Sequence, residues 1–399
     1  MTKKNSSSLY DGTCYHQTMK PDYHGRGIVN LMSTLARAVG VTSPYPVLSG
    51  EDLTGIEESK NIVLMVVDGL GYNYLRENGK NTTLFNSLKG SMSSVFPPST
   101  ATAISTYFTG LAPQQHAVTG WWVYLRELGI VSRVLPFVNA VDWNVIQTPI
   151  SNIIDVKPLL HGMSRKHHII LGESIIDSVY SRHMAGEADL HGYTTLDDFF
   201  KLIRTAITSS NEEKLVYAYW PEFDEISHLL GVNSEDSKTH LHVFDEMLAQ
   251  FMETIQDTDT TLVISSDHGF NDVPRENLIC TGDHPRLADT LVLPLCGDTR
   301  VTYCYVRLSE VERFEKYVSD ELGTSCELQR SKDLIDEGWF GLYEMNPKLS
   351  SRVGDYTLLF KEGYGMLNSY PGVEPPSLLG HHGGTTEDEM LVPLVIMRP

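Results

Sequence analysis

Basic residues are scarce in this chain: 31 lysines and arginines face 51 aspartates and glutamates over 399 residues, a formal net charge of −20. Such a surface repels DNA, RNA and anionic membrane faces, so no nucleic-acid polymer and no membrane is expected as a partner. Cysteine is scarce too. Cys14, Cys280, Cys296, Cys304 and Cys326 are odd in number, widely spaced and free of any C-x-x-C pair, which argues against a disulfide framework and a cysteine zinc site. No apolar stretch is long enough to cross a bilayer, and the polar Met1–Ser8 is not followed by an apolar h-region. These absences make a reduced, cytoplasmic protein the expectation, and they leave the oligomeric state open. A small anionic ligand would have to be attracted by local rather than global charge.

What the chain does have is a set of short, continuous apolar runs that read as strands buried on both faces. Asn61–Val67 delivers Asp68 and Gly69 to its carboxyl end, Lys214–Trp220 leads to Asp224, and Thr261–Ile264 leads to Asp267-His268-Gly269. Open α/β sheets bind ligands beyond the carboxyl ends of their strands, so three acids delivered to such ends define one candidate pocket. Strands alternate with helices from Asn61 onward, which predicts a mostly parallel central sheet with helices on both faces. The clearest helix spans about Ser237 to Ile255, where Leu241, Phe244, Leu248, Phe251 and Ile255 recur at spacings of three and four. A helical stretch near Ile28–Leu35 belongs to an N-terminal extension, 1–57, packed on the core. The core itself is assigned to 58–289 and 346–399, where Asp355–Phe360 and Leu391–Ile396 bring the chain back. Residues 290–345 form a small α/β insertion built from a strand at Val301–Val306 and a helix at Ser309–Leu322.

Pro97 and Pro98 close one segment, and Ser99 then stands at the N-cap of a helix continued by Thr100 to Ser105. Thr100 falls in the first turn, where unpaired amides and the helix dipole favour an anionic phosphoryl group and an ionised hydroxyl. A hydroxyl nucleophile among dispersed Asp and His residues is what two-metal phosphoryl transfer requires. Asp224 and His228 lie one helical turn apart. His382 sits in a Gly-rich loop beside His381; His116 and His284 carry no assigned role.

These motifs, taken in order, resemble the alkaline phosphatase superfamily, and within it the type I phosphodiesterases and nucleotide pyrophosphatases, over about residues 60 to 290 and 350 to 399. In that family the nucleophile precedes a T-G pair by nine residues, which picks Thr100 over Ser99 from Thr109-Gly110. The first aspartate corresponds to Asp68, the D-x-x-x-H motif to Asp224–His228, D-H-G to Asp267-His268-Gly269, and the late H-G to His382-Gly383. The resemblance implies an alkaline-phosphatase-like fold and two divalent metal ions. One is held by Asp68, Thr100, Asp267 and His268, the other by Asp224, His228 and His382. Imidazole and carboxylate donors favour zinc, with manganese or iron as alternatives. Two positions depart from the family pattern: Ala101 follows the nucleophile where an aromatic would stack on a base, and Trp121 stands where an asparagine would bind a phosphoryl oxygen. Trp121, Trp122 and Tyr124 offer a replacement apolar wall.

The expected function is metal-dependent hydrolysis of a small phosphate ester through a phosphothreonine on Thr100. The alternatives are a phosphomonoesterase or phosphonate hydrolase using the same site, and a non-catalytic metal- or phosphate-binding protein. A sulfatase is disfavoured because no C/S-x-P-x-R signature surrounds Thr100.

Overall fold

Seven strands build the main sheet in the computed structural model, which describes residues 18–50, 53–159, 162–369 and 377–399. Met1–Ser8 and Cys14 lie outside the described residues. The strands are β1 Asn61–Val67, β2 Leu88–Ser93, β3 Lys166–Gly172, β4 Asp189–Tyr193, β5 Lys214–Trp220, β6 Thr260–Ser265 and β7 Leu391–Met397. Their spatial order is β2-β7-β6-β1-β5-β3-β4. β6, β1, β5, β3 and β4 run parallel, whereas β7 is antiparallel to both β6 and β2.

All of β1 is buried because helices cover both sides of it, and its residues divide between two cores with the period of two that a pleated strand imposes. Ile62, Leu64 and Val66 pack with the helices Ile28–Ala38 and Thr100–Thr109. Val63, Met65 and Val67 pack with Leu196–Thr208 and Glu235–Thr254. In the latter helix Leu241, Phe244, Leu248 and Phe251 are the buried stripe, and Ser234 caps its start by accepting from the Ser237 N–H at 3.1 Å. In the register of the sheet, Val66 lies opposite Tyr219 of β5 and Ser265 of β6. The three strands therefore end level, and the chain after each emerges at the same edge.

A second, antiparallel sheet of seven strands lies beyond that edge. In order it contains Cys326–Arg330, Tyr356–Phe360, Val301–Cys304, Cys296–Gly297, Trp122–Leu125, Ile130–Arg133 and Val138–Asn139. The unit expected over 290–345 is thus not closed on itself. Tyr356–Phe360 sits between two of its strands, and Trp122–Leu125 extends it from within the stretch assigned to the core. The pairing of Gly297 with Trp122 joins segments more than a hundred residues apart, and such partners leave no local periodicity in the sequence. The helix expected at Ser309–Leu322 is Val311–Tyr317, with a 3₁₀ turn before it and a π turn after it. Among the described residues no helix is long and apolar enough to cross a membrane.

Candidate active site

The seven residues singled out from the sequence meet at the level ends of β1, β5 and β6. Asp68 directly follows β1 and is 2% exposed. Asp224 and His228 share one face of the helix Glu222–Leu230 after β5, with Asp224 Oδ1 3.5 Å from His228 Nε2. Asp267 and His268, after β6, are fully buried. The His382 ring stacks on that of His268 with centroids 3.7 Å apart, and its Nε2 is 3.9 Å from Asp224 Oδ1. His268 Nε2 lies centrally: 3.1 Å from Thr100 Oγ1, 3.3 Å from Asp68 Oδ1, 3.5 Å from Asp267 Oδ2 and 3.9 Å from Asp224 Oδ1.

Backbone features hold these groups in place. Thr100 opens the helix Thr100–Thr109, and Gly110 closes it in the left-handed region at φ 65°. The nine-residue spacing from Thr100 to Thr109 is the length of one helix, with Thr100 at the amino end and a glycine stop at the other. Ser99 occupies the N-cap position but does not cap: its hydroxyl donates instead to Asp298 Oδ1 at 3.0 Å. The Tyr107 hydroxyl donates to the Ser266 carbonyl at 2.7 Å, tying this helix to the loop that carries Asp267. The Tyr219 hydroxyl donates to Asp68 Oδ2, and the Gly69 N–H to Asp267 Oδ1 at 3.0 Å. Gly269 is required by close approach, since a Cβ there would lie 2.0 Å from the Asp388 carbonyl oxygen.

The donor inventory shows what the cluster can hold. His268 Nδ1 contacts the Gly269 carbonyl at 3.1 Å and His228 Nδ1 the Gly380 carbonyl at 2.8 Å, so both imidazoles carry a hydrogen on Nδ1 and, when neutral, turn an acceptor Nε2 toward carboxylates. Asp68 Oδ1, Asp224 Oδ1 and Asp267 Oδ2 are buried without a hydrogen-bond partner. Acceptors facing acceptors in a buried site require protons or cations among them. Two overlapping groups have the spacing of a metal site: Asp68, Asp267 and His268, and Asp224, His268 and His382. Burial, followed by the charges of Asp267 and Asp224, holds the Asp68 carboxyl well above its ordinary range. Asp224 is raised as well, by burial first, against the lowering charges of His228 and His268. Burial, then the neighbouring His268 and His228, pushes His382 well below the usual imidazole range.

Thr100 lies where two cavities meet. A lobe of about 450 Å³ runs past Asp68 and Asp224 along Ile104, Phe108, Trp121 and Trp143. A smaller lobe of about 290 Å³ continues past Trp121 to Trp122, Asp298, His228 and His382. Trp121 and Trp122 thus wall the site, whereas Tyr124 packs on Tyr305 with ring centroids 5.3 Å apart. Ala101 is buried in the core beneath the helix and faces neither lobe.

Three other histidines singled out from the sequence stand outside the carboxylate and imidazole cluster. His116 is buried, with its pKa pushed down to about 3 by desolvation and then by Arg352, and it accepts the Val118 N–H at 3.1 Å. His284 pairs with the Tyr317 hydroxyl at 2.7 Å. His381 is 1% exposed and lines the smaller lobe.

Three groups at the site went unread in the sequence. Asp298 is 7% exposed, and besides Ser99 it receives the Trp121 N–H at 3.3 Å; burial, offset in part by these bonds, pushes its carboxyl up to about 7. Glu389 and Arg300 form a fully buried ion pair at 2.9 Å. Glu389 also accepts from the Gly384 N–H at 2.7 Å and from Asn271 Nδ2 at 2.9 Å, so it braces the segments that carry His382 and His268.

The sequence model of the type I phosphodiesterase/nucleotide pyrophosphatase family matches residues 62–385. The chain belongs to this family. Solved structures similar to this family member include murine ectonucleotide pyrophosphatase/phosphodiesterase 5, with a TM-score of 0.59, 16% identity, and coverage of 85% of this chain and 88% of that one. An inactive threonine-to-alanine form of the murine protein in complex with AMP matches with a TM-score of 0.58, 16% identity, and coverage of 84% and 87%. The human counterpart matches with 0.59, 17% identity, and coverage of 85% and 88%. At these identities the likeness shows the fold, that of the alkaline phosphatase superfamily. No curated protein sequence matches the chain. As a type I phosphodiesterase/nucleotide pyrophosphatase, the protein is a hydrolase acting on phosphoester or pyrophosphate bonds.

Proposed function

We propose that the protein is a phosphodiesterase that works through a phosphothreonine on Thr100 beside two divalent cations, with zinc the first choice. The observation that carries this reading is the position of Thr100 Oγ1, 3.1 Å from His268 Nε2 and at the junction of both lobes. Asp68, Asp267 and His268 with Thr100 would hold one cation, and Asp224, His228 and His382 the other. The mixed carboxylate and imidazole set suits zinc better than magnesium. When bound, such a pair lowers the pKa of a coordinated hydroxyl or water and stabilises charge on the transferring oxygens.

The chain's own groups supply the rest. Thr100 Oγ attacks phosphorus in line; the new bond to Oγ forms as the bond to the leaving oxygen breaks, and the hydroxyl proton ends on that departing oxygen, delivered through solvent. The amino end of the helix Thr100–Thr109 presents unpaired N–H groups to the phosphoryl oxygens. Water then attacks the phosphothreonine, releasing the phosphate product and restoring the hydroxyl. The two lobes favour a diester, since each of two substituents on phosphorus finds a separate space, whereas a monoester fills one. The inactive threonine-to-alanine form of the murine neighbour, which binds AMP, supports a threonine nucleophile.

The described cysteines Cys280, Cys296, Cys304 and Cys326 are free thiols, which supports the proposed cytoplasmic location. The test is a hydrolysis panel of mono-, di- and pyrophosphate esters after reconstitution with zinc or manganese. Bis-p-nitrophenyl phosphate should turn over faster than p-nitrophenyl phosphate. The reverse preference would point to a monoesterase, and an inert protein that still binds two metals would point to a non-catalytic one.

A further inference from the structure

Polar groups in folded proteins normally find partners, yet Trp122, His381 and Thr299, which all line the smaller lobe, carry side-chain atoms that lack them. The Trp122 indole Nε1, which can only donate, is buried without a hydrogen-bond partner. His381 is 1% exposed, and its Nε2 is likewise buried without one. Thr299 is partly exposed, and its hydroxyl makes no hydrogen bond to another described residue. The rest of Thr299 is pinned. Its carbonyl accepts the Met366 N–H at 2.8 Å, and its methyl carbon lies 2.8 Å from where a Cβ on Gly365 would stand, so the glycine makes the room that this side chain needs.

The surroundings disfavour three classes of occupant. An anion would meet the carboxyl groups of Asp224 and Asp298 in a chain of net charge −20, and the Arg133 guanidinium is already engaged with the rings of Trp143 and Trp122, 3.4 and 5.7 Å from their centroids. A cation would find Asp298 taken up by the Ser99 hydroxyl and the Trp121 N–H, and would face the positive charge of the proposed metal pair. An apolar group would leave the orphaned donor and acceptor atoms unpaired, and sites built around such atoms discriminate strongly against an analogue that cannot bond to them. A hydroxyl suits all of them, since it donates once and accepts twice. At about 290 Å³ the lobe stands at the small end of ligand cavities, which matches a short chain.

We propose that the smaller lobe is a subsite for an uncharged polyol substituent of the diester, with Trp122 and Thr299 as its specificity-determining residues. Trp122 Nε1 donates to a substituent oxygen, and the Thr299 hydroxyl exchanges a hydrogen bond with a substituent hydroxyl. The larger lobe, walled by Ile104, Phe108 and Trp121, takes the other substituent. This assignment rests on the phosphodiesterase reading of the site. It gives an acidic protein a way to select among esters by hydrogen bonding alone, with no basic surface.

Five p-nitrophenyl diesters test it, with butyl, 2-methoxyethyl, 3-hydroxypropyl, 2-carboxyethyl or 3-aminopropyl as a second substituent of nearly constant length. In the zinc-reconstituted wild-type protein, kcat/KM should rank hydroxypropyl above methoxyethyl and methoxyethyl above butyl, because a hydroxyl donates and accepts, an ether only accepts and a methyl does neither. Both charged esters should rank below hydroxypropyl. Trp122→Phe removes the donor and keeps an aromatic wall. It should bring methoxyethyl down to butyl and lower the hydroxypropyl-to-butyl ratio roughly 3- to 10-fold, mainly through KM, the scale of one uncharged hydrogen bond. Thr299→Val keeps the shape and should also lower that ratio. A wild-type order led by butyl or by either charged ester, or a ratio that neither variant changes, would overturn the proposal. Calorimetric binding of the same esters to the zinc-loaded Thr100→Ala protein, with and without Trp122→Phe, reads the order without turnover. A wild-type protein that hydrolyses none of the esters would therefore count against the phosphodiesterase reading, while the binding order still decides what the smaller lobe accepts.

Discussion

Removing the Thr100 hydroxyl tests the chemistry while leaving every carboxylate and imidazole of the cluster in place. Thr100→Ala should lower kcat by a factor on the order of 10³ or more, with two metals per chain still found by elemental analysis. Near-normal turnover would refute the nucleophile assignment. Asp298 acts one step away, through its bonds to the Ser99 hydroxyl and the Trp121 N–H. Asp298→Ala frees both and should lower kcat about 10- to 100-fold by misplacing Thr100, with metal content unchanged. Asp298→Asn keeps one acceptor oxygen and should recover part of the loss; an alanine variant with unchanged kcat would remove Asp298 from the positioning role. The contrast shows what single residues reveal in a sequence. Asp68, Asp224 and Asp267 were legible because each comes after an apolar run that announces a buried strand. Asp298 and Glu389 carry no such signal, and only tertiary contact makes them part of the site.

The helix Thr100–Thr109 is the element on which the proposed reaction depends, because its length sets where Thr100, the proposed nucleophile, stands relative to its stop. Gly110 ends it at φ 65°, and a Cβ there would meet Leu159 side-chain atoms at 3.1 Å. Gly110→Ala should cost about 1–2 kcal/mol, the left-handed penalty for a residue with a Cβ, and lower the melting temperature while metal content stays the same. An unchanged melting temperature would mean that the helix end relaxes without strain. At this scale four strands of the main sheet, Asn61–Val67, Lys214–Trp220, Thr260–Ser265 and Leu391–Met397, were legible, since strands buried on both faces are written as continuous apolar runs; the partly exposed Leu88–Ser93 and Asp189–Tyr193, and Lys166–Gly172 between its neighbours, were not. Of the second sheet, the strands at Val301–Cys304 and Tyr356–Phe360 were legible but not their place in one sheet. Its pairings, such as Gly297 with Trp122 and Tyr303 with Thr357, join short segments whose partners lie far along the chain, and the half of the active-site wall that contains Arg133 and Asp298 comes from that sheet.

Over the whole molecule, the buried carboxyl groups set a dependence on pH that metal binding has to reverse. Asp68, Asp224 and Asp298 each hold their proton more tightly in the folded protein than an ordinary carboxyl group does. Above the ordinary value of 3.8 the metal-free native state therefore binds more protons than the unfolded chain, and these groups make stability fall as pH rises, for Asp298 up to about 7. Glu389 has the opposite sign. Burial alone would raise it, but the charge and hydrogen bonds of Arg300, with bonds from Thr386 and Asn271, hold it below 4.5. Its contribution is present above that ordinary value and is lost as pH falls through the lower folded one. Divalent cations at the proposed centre would bind the ionised carboxylates of Asp68 and Asp224, so loading would release the protons that these two retain and remove their loss on the alkaline side, while Asp298, which is no ligand, would keep its own. Each site adds about 2.7 kcal/mol when free metal exceeds its Kd a hundredfold. Chelation should therefore lower the melting temperature more at about pH 7.5 than at about pH 5, where retained protons partly replace the cations. Adding zinc back should restore it. A melting temperature indifferent to chelation at the higher pH, in protein shown by elemental analysis to have lost its metal, would mean that Asp68, Asp224 and Asp267 with their imidazoles are balanced by protons alone and that cations at this centre do not stabilise the fold.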